Sequence, residues 1–242
     1  MSARRKSRNQ GTLKRFLVWS LILLGAGSLA YLVWFSSAFN IRAIEIEGED
    51  IVGNLELESA VGQNILFWQL DLNLEDMPQV ADFAVRKNYI TREVRLVFNE
   101  RDRYAIWCAE IQGECFWIDS EGIAFVTAPN LKGPVIFKLV RDYSDRELSL
   151  GERALDENLL VNLKKAFIFL EELDIPVQEF SIENLKFREA TAHTSGGPKI
   201  FFSLQDDPFF GKSVVSSLIE GGEWEIISYI DLRIPGRAYY SQ

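Results

Sequence analysis

An uncharged apolar run near the N-terminus limits what this chain can fold into more than any other feature. The stretch from Phe16 to Phe35, FLVWSLILLGAGSLAYLVWF, contains twenty residues without a charge. An α-helix rises about 1.5 Å per residue, so a helix of this length spans a hydrocarbon layer about 30 Å thick. The run is therefore predicted to be a membrane-spanning helix rather than a buried core helix.

The charges that flank this run predict its orientation. Six basic residues and no acid lie in residues 1–15, and the nearest charge after the run is Arg42. Because cytoplasmic flanks of membrane spans are rich in Lys and Arg, we expect the N-terminus in the cytoplasm and the remainder outside. Trp19 near one end and Trp34 near the other fit the two lipid–water boundaries.

A cleaved secretory signal is the alternative interpretation of the same residues. Ser36, Ser37 and Ala38 form a run of small residues that a signal peptidase could cut. The apolar part of a signal peptide is about 7–15 residues long, and this run is longer, which favours an uncleaved anchor. The expectation is a basic cytoplasmic tail over residues 1–15 and a transmembrane helix over residues 16–35.

The residues after the run are strongly acidic. The whole chain carries a formal charge of −9 and its first 35 residues carry +6, so the remainder carries −15. Such a surface repels the phosphate backbone, so nucleic-acid binding is not expected. Hydrophobic residues make up 48% of the chain, enough to build folded cores outside the membrane.

Residues 36–103 are predicted to form a β-α-α-β-β module. Strands are indicated where apolar and charged residues alternate, and two short helices are indicated between the first strand and the second. The second helix is limited in length by Pro78. The strands lie around Ile44–Ile46, Ala81–Val85 and Val94–Phe98, and the helices lie in NLELESAVGQN and around LNLEDMPQV.

Residues 104–242 are predicted to form a larger mixed β domain with two helices. Turn signals at Gln112-Gly113 and Ser120-Glu121-Gly122 divide the first part into short strands. Leucines recur at helical spacing from Leu159 to Leu173, with Asp156 as N-cap and Pro176 beyond the end. Further strands are expected at VIFKLV, ENLKFREA and KIFFSL, and a second helix near Phe209 to Leu218. The fold class is therefore α+β.

The stretch YIDLRIPGRAYY predicts a strand with one apolar and one polar face. Ile230, Leu232 and Ile234 alternate with polar residues, so all three are expected on the buried face. The strand is expected to end before Pro235-Gly236 and to lie at the edge of a sheet, where a partner can pair with it. Its polar face is expected to hold Tyr229, Asp231 and Arg233.

Catalytic and metal-binding groups are scarce. His193 is the only histidine, and its polar surroundings, TAHTSGGP, are typical of a solvated loop. One histidine and two cysteines cannot form a zinc or iron site at standard spacing. The stretch FFGKS resembles the end of a phosphate-binding loop, but Asp206 stands where that loop requires glycine. No catalytic residue, cofactor or metal ligand is predicted.

The two cysteines flank a predicted hairpin turn. Cys108 and Cys115 lie on either side of Gln112-Gly113, so a hairpin with a four-residue loop brings them opposite one another. An oxidising exterior permits a disulfide between them. Two buried thiols are the alternative, and either role is structural.

Three stretches in this order resemble the FtsQ/DivIB family of bacterial cell-division proteins. They are FNIRAIEIEG after the apolar run, WIDSEGIAF from Trp117 to Phe125, and IDLRIPG from Ile230 to Gly236. The resemblance covers essentially the whole chain. It implies a POTRA domain over residues 36–103 and an FtsQ-type β domain over residues 104–242.

The resemblance also implies a non-enzymatic function. Members of this family lie in the cytoplasmic membrane at the division septum, bind FtsB- and FtsL-like proteins and other divisome components, and help control septal peptidoglycan synthesis. Their partner contacts fall along the last strand of the β domain and just beyond it. Carried to this chain, those contacts fall on Tyr229, Asp231, Arg233, Ile234, Tyr239 and Tyr240.

Two functions from other classes compete with this interpretation. One is an anchored extracytoplasmic hydrolase that acts on the cell wall through His193 or an acidic pair. The other is a POTRA-bearing chaperone or secretion component, although such proteins usually carry several POTRA copies or a membrane barrel. Tyr239 and Tyr240 also have a purely structural alternative, in which they only cover the end of the sheet.

Overall fold

A computed structural model describes residues 8–48, 57–131 and 138–241 of the chain. It begins with one long helix, α1 (Arg8–Phe35). Its segment Lys14–Phe35 has 22 residues and a mean hydropathy of 2.1, long and apolar enough to cross a membrane. None of the residues in its most apolar 18-residue window is buried, which is the arrangement expected of an anchor rather than a core helix.

The described chain divides into two compact units. The smaller unit contains α1, the residues up to Leu72 and the stretch Phe83–Phe98. The larger unit contains Asn73–Asp82 and the residues from Asn99 onward. Helices and mixed sheets occur together, so the predicted α+β class is confirmed.

The smaller unit contains most of a three-stranded sheet. Its strands are β1 (Ala43–Glu47), β2 (Val80–Asn88) and β3 (Glu93–Glu100), in the order β1-β3-β2. β1 runs parallel to β3. The alternation predicted for β3 is confirmed, because Val94 and Leu96 are fully buried and Arg95 between them is exposed.

Within the described residues, the two stretches predicted to form short helices between β1 and β2 contain no α-helix. Where the structure describes those stretches, it has single 3₁₀ turns at Glu58–Ala60 and Leu74–Asp76. The first stretch begins in residues 49–56, which lie outside the described part of the chain. The second cannot extend into an α-helix because Pro78 lacks the N–H that the next turn requires.

The larger unit is built on a nine-stranded mixed sheet. The strands are β4 (Ala105–Ala109), β5 (Glu114–Ile118), β6 (Ala124–Ala128), β7 (Leu139–Asp142), β8 (Val177–Ile182), β9 (Glu189–Thr194), β10 (Lys199–Ser203), β11 (Tyr229–Leu232) and β12 (Tyr239–Ser241). Their order in the sheet is β12-β11-β10-β9-β8-β7-β4-β5-β6. Parallel pairs join β10 with β11, β7 with β8 and β4 with β7.

Two helices, α2 (Glu157–Glu172) and α3 (Lys212–Glu220), supply apolar side chains to one hydrophobic core with the sheet. The helical spacing of leucines predicted α2, and the buried residues Leu163 and Phe169 lie on its inner stripe. Phe169 contacts Phe202 of β10 edge to face at 5.7 Å between ring centroids. Each such buried side chain contributes about 1.5–3 kcal/mol to folding.

Strand predictions near the middle of the larger unit were partly wrong. ENLKFREA begins with a 3₁₀ turn, Leu185–Phe187, and Arg188 then adopts a left-handed conformation before β9 begins. β8, directly before that turn, was not predicted. The strand predicted at VIFKLV appears as β7 only from Leu139, and residues 132–137 lie outside the described part of the chain.

Candidate functional site: the C-terminal edge of the nine-stranded sheet

The predicted last strand is not the edge of the sheet. β11 pairs with β10 on one side and with β12 on the other, in the register Ile230↔Tyr240 and Asp231↔Tyr239. Gly236, with φ +73°, is in the left-handed region that glycine adopts without strain, and it reverses the chain after β11. Within the described residues β12 is the last strand of the order, so the edge lies at Tyr239–Ser241.

The burial predicted for Ile234 is wrong. Ile230 and Leu232 are fully buried, as their spacing predicted, but Ile234 is 50% exposed. β11 ends at Leu232, and the backbone N–H of Arg237 donates to the carbonyl of Ile234 at 3.1 Å, which closes a turn. Strand alternation therefore no longer applies at Ile234.

The two tyrosines of β12 lie on opposite faces of the sheet. Residues directly opposite in a register share a face, so Tyr239 lies on the face of Asp231 and Tyr240 on the face of Ile230. Tyr239 is 45% exposed and Tyr240 is 48% exposed. The edge strand therefore presents a large, half-exposed ring on each face.

Arg233 organises the polar face beside the edge. Its Nε and Nη2 donate to the two carboxylate oxygens of Asp231 at 2.9 and 2.6 Å, and its Nη1 donates to Glu189 at 2.8 Å. The guanidinium also lies 5.1 Å from the ring centroid of Phe201. These bonds raise the pKa of Arg233 above its ordinary value. Arg233 and Asp231, both predicted partner contacts, thus already bind each other.

Asp231 is expected to give the larger unit a specific sensitivity to acid. The hydrogen bonds from Arg233 lower the pKa of Asp231 below its ordinary value. The stabilisation of the folded state by the Asp231 carboxylate is therefore fully present above the pKa of an unfolded aspartate, about 3.9. It is lost as the pH falls through the lower pKa that Asp231 has in the folded state. Asp231→Asn is expected to cost about 0.5–1 kcal/mol at pH 7, because the pair is partly solvent-screened.

Urea unfolding of the full chain in detergent at pH 7 and pH 3 checks this expectation. Wild type is expected to lose more stability between the two pH values than the Asp231→Asn variant does. Asp145→Asn, at an exposed position of the same unit, serves as the control and is expected to behave as wild type. Equal losses in wild type and Asp231→Asn would contradict the assignment.

The far end of the same face carries a buried ion-pair network and the disulfide. Arg141 of β7 is 8% exposed and binds the carboxylates of Glu110 and Glu179. It is directly opposite Cys108 in the register, and Cys108 and Cys115 form a disulfide with Cα atoms 3.9 Å apart. Removing one partner of such a buried network leaves a charge unpaired, so these residues act in folding.

His193 lies in β9 and not in a loop, contrary to the expectation from its polar neighbours. Its Nε2 and the hydroxyl of Ser181 are 2.9 Å apart, a contact that joins β8 and β9. Burial lowers the pKa of His193 below its ordinary value. The Ser181 residue is only 4% exposed, so its hydroxyl is not presented to a substrate in solution. Among the described residues, no cluster of three metal-ligating side chains occurs.

Four of the six predicted contact residues lie in the paired strands β11 and β12, namely Tyr229, Asp231, Tyr239 and Tyr240, and Arg233 and Ile234 lie in the connection between them. Sequence reasoning did not foresee Phe201 and Glu189, which complete the polar face from neighbouring strands. No model of a known protein family matches this chain, and a search of curated proteins finds no match either.

Proposed function

We propose that this chain is a membrane-anchored binding protein whose outer units recruit other proteins and catalyse no reaction. The observation that carries the proposal is the C-terminal edge, where β12 ends the order of a nine-stranded sheet and carries a half-exposed tyrosine on each face. The outer side of an edge strand can accept the backbone of another chain. α1 supplies an anchor of the required length.

Within this class, the proposed protein is a divisome component of the FtsQ/DivIB type. In this proposal the basic tail is cytoplasmic, α1 spans the cytoplasmic membrane at the division septum, and the residues after α1 are extracytoplasmic. Residues 36–103 act as the POTRA domain and residues 104–242 as the FtsQ-type β domain. The sequence stretches FNIRAIEIEG, WIDSEGIAF and IDLRIPG support this assignment, as does their order along the chain.

The proposed partner is an FtsB-like protein paired with an FtsL-like protein, and the proposed contact is strand addition. A segment of the partner pairs with β12 through backbone hydrogen bonds. Tyr239 then packs on one face of the added strand and Tyr240 on the other. Tyrosine supplies a large contact area at a small cost in side-chain entropy. The edge therefore combines a backbone template with two side-chain contacts.

Titration of the full chain in detergent with the purified FtsB- and FtsL-like pair of the same organism tests this function. Saturable binding with one pair per chain is the expected result. The opposite edge, at β6, provides a matched control, because Thr127 is also exposed on an end strand. Thr127→Ala is expected to leave the affinity unchanged. Failure of the wild-type chain to bind the pair would contradict the proposal.

A further inference from the structure

Two loops of the smaller unit hold apolar side chains out toward solvent beside the end of α1. The first loop carries Leu66 and Phe67, which are 41% and 49% exposed. The second is the turn between β2 and β3, where Tyr89 is 58% exposed and Ile90 is 94% exposed. These four residues are called here the juxtamembrane rim. A group of large exposed apolar side chains at one end of a unit marks an interaction site more often than scattered ones do.

Direct contacts fix the first loop at the depth of the last turn of α1. The side-chain amide of Asn64 donates to the carbonyl of Val33 at 2.8 Å. The rings of Phe67 and Trp34 stack with their centroids 4.4 Å apart. Trp34 is the penultimate residue of α1, and tryptophan at the end of a membrane span favours the lipid–water interface. A ring stacked on it lies in the same layer.

The second loop lies at the same end of the smaller unit. The side chain of Arg92 donates to the carbonyl of Ser37 at 2.9 Å, and the backbone N–H of Arg42 donates to the carbonyl of Arg92 at 2.8 Å. β1 and β3 run parallel with Ala43 opposite Glu93, so both strands begin at this end. Tyr89 and Ile90 therefore project beside the point where the chain leaves α1.

The exposure of the first loop is not a consequence of loose structure. The ammonium group of Lys87 donates to the carbonyls of Ile65 and Trp68 at 3.0 and 2.5 Å. Ile65 is fully buried and Trp68 is 7% exposed. The residues on either side of Leu66 and Phe67 are thus held in the core, which directs these two side chains outward.

We propose that the juxtamembrane rim inserts into the interfacial layer of the membrane that α1 crosses, so that its ligand is the lipid headgroup and upper acyl region. The proposal rests on α1 being an uncleaved membrane span, as in the proposed function. Aliphatic and aromatic side chains favour this layer, and each one that inserts removes apolar area from water. Arg92 and Lys87, which support the two loops, bring positive charge to the headgroup layer. The rim then fixes how the smaller unit is oriented on the bilayer.

Nitroxide accessibility in the full chain tests the proposal. The only two cysteines form a disulfide, so a cysteine introduced by Ile90→Cys is labelled selectively. The labelled protein is reconstituted alone into phosphatidylethanolamine–phosphatidylglycerol vesicles, and collisions with oxygen and with a water-soluble nickel chelate are measured. Glu47→Cys is the control, since Glu47 is exposed and lies four residues along β1 from Ala43, about 13 Å away at 3.3 Å per residue.

The label at position 90 is expected to show a several-fold higher ratio of oxygen to nickel accessibility than the label at position 47. Equal ratios at the two positions would overturn the proposal. A rim that binds a protein instead of lipid would give this result, because the vesicles contain no other protein. A third label, from Leu24→Cys in α1, separates the two hypotheses. If the label at 24 is immersed in lipid and the label at 90 is exposed to water, insertion of the rim is rejected and the membrane anchor stands. If the label at 24 is exposed to water, the membrane anchor is rejected as well.

Discussion

Replacing Ile230 with lysine is expected to destabilise the larger unit by about 3–5 kcal/mol, whereas the same replacement at Ile234 is expected to change stability by no more than about 0.5 kcal/mol. The side chain of Ile230 is fully buried in the core that the sheet forms with α2 and α3. A lysine there leaves an ammonium group without water or a carboxylate. Ile234 is half exposed in the turn, so the lysine reaches solvent.

Chemical denaturation of both variants, with the full chain in detergent, measures this difference. Domains are stable by only about 5–15 kcal/mol, so the Ile230→Lys variant is expected to unfold at a much lower denaturant concentration. The Ile234→Lys variant is expected to unfold at the same denaturant concentration as wild type. Similar losses at both positions would show that the alternation of β11 continues through Ile234 and that the turn is misassigned.

Replacing Tyr239 and Tyr240 together with alanine is expected to leave the larger unit folded and to weaken partner binding by about 1–4 kcal/mol, the range for aromatic hot spots. This corresponds to a loss of affinity of about 5- to 1,000-fold. The two rings are 45% and 48% exposed, so their removal takes little from the core. On a strand-addition model, however, both rings become buried against the partner.

Tyr143→Ala is the matched control for the tyrosine variant. Tyr143 lies in the same unit and is 45% exposed, but it follows β7 in the middle of the strand order. Its removal is expected to leave the affinity unchanged. Circular dichroism melting separates a folding defect from a binding defect. Wild-type affinity in a folded Tyr239→Ala/Tyr240→Ala variant would reject the contribution of these rings, and a collapsed melting curve would place them in the core.

Local patterns predicted the parts of the fold whose residues depend on close sequence neighbours. In WIDSEGIAF, the predicted turn is formed by the Asp119 carboxylate, which accepts the backbone N–H groups of Glu121 and Ile123 at 2.8 and 2.9 Å. Gly122 has φ +83°, and a Cβ there would lie 2.9 Å from a methyl carbon of Leu160. Only glycine fits both requirements. The alternation of Val94 and Leu96 and the helical spacing of α2 could be predicted because they too depend on residues that are close in sequence.

The predictions failed where distant residues decide the structure. β12 has only three residues, which is too few for an alternating pattern to predict a strand. Its pairing also depends on a turn that returns the chain to β11. Ile234 continued the alternation in the sequence, yet that turn removes it from the strand. The carboxylates that bind Arg141, on Glu110 and Glu179, lie 31 and 38 residues away. No local periodicity contains such partners.

Amide hydrogen exchange of the full chain, with and without the FtsB- and FtsL-like pair, tests strand addition most directly. Addition of a partner strand to the C-terminal edge is expected to slow exchange of those amides of β12 that are not already bonded to β11, because the new backbone hydrogen bonds protect them. The amides of β6, at the other end of the strand order, are expected to exchange at the same rate in both samples. Binding that leaves exchange at β12 unchanged, or that protects β6 instead, would contradict the account.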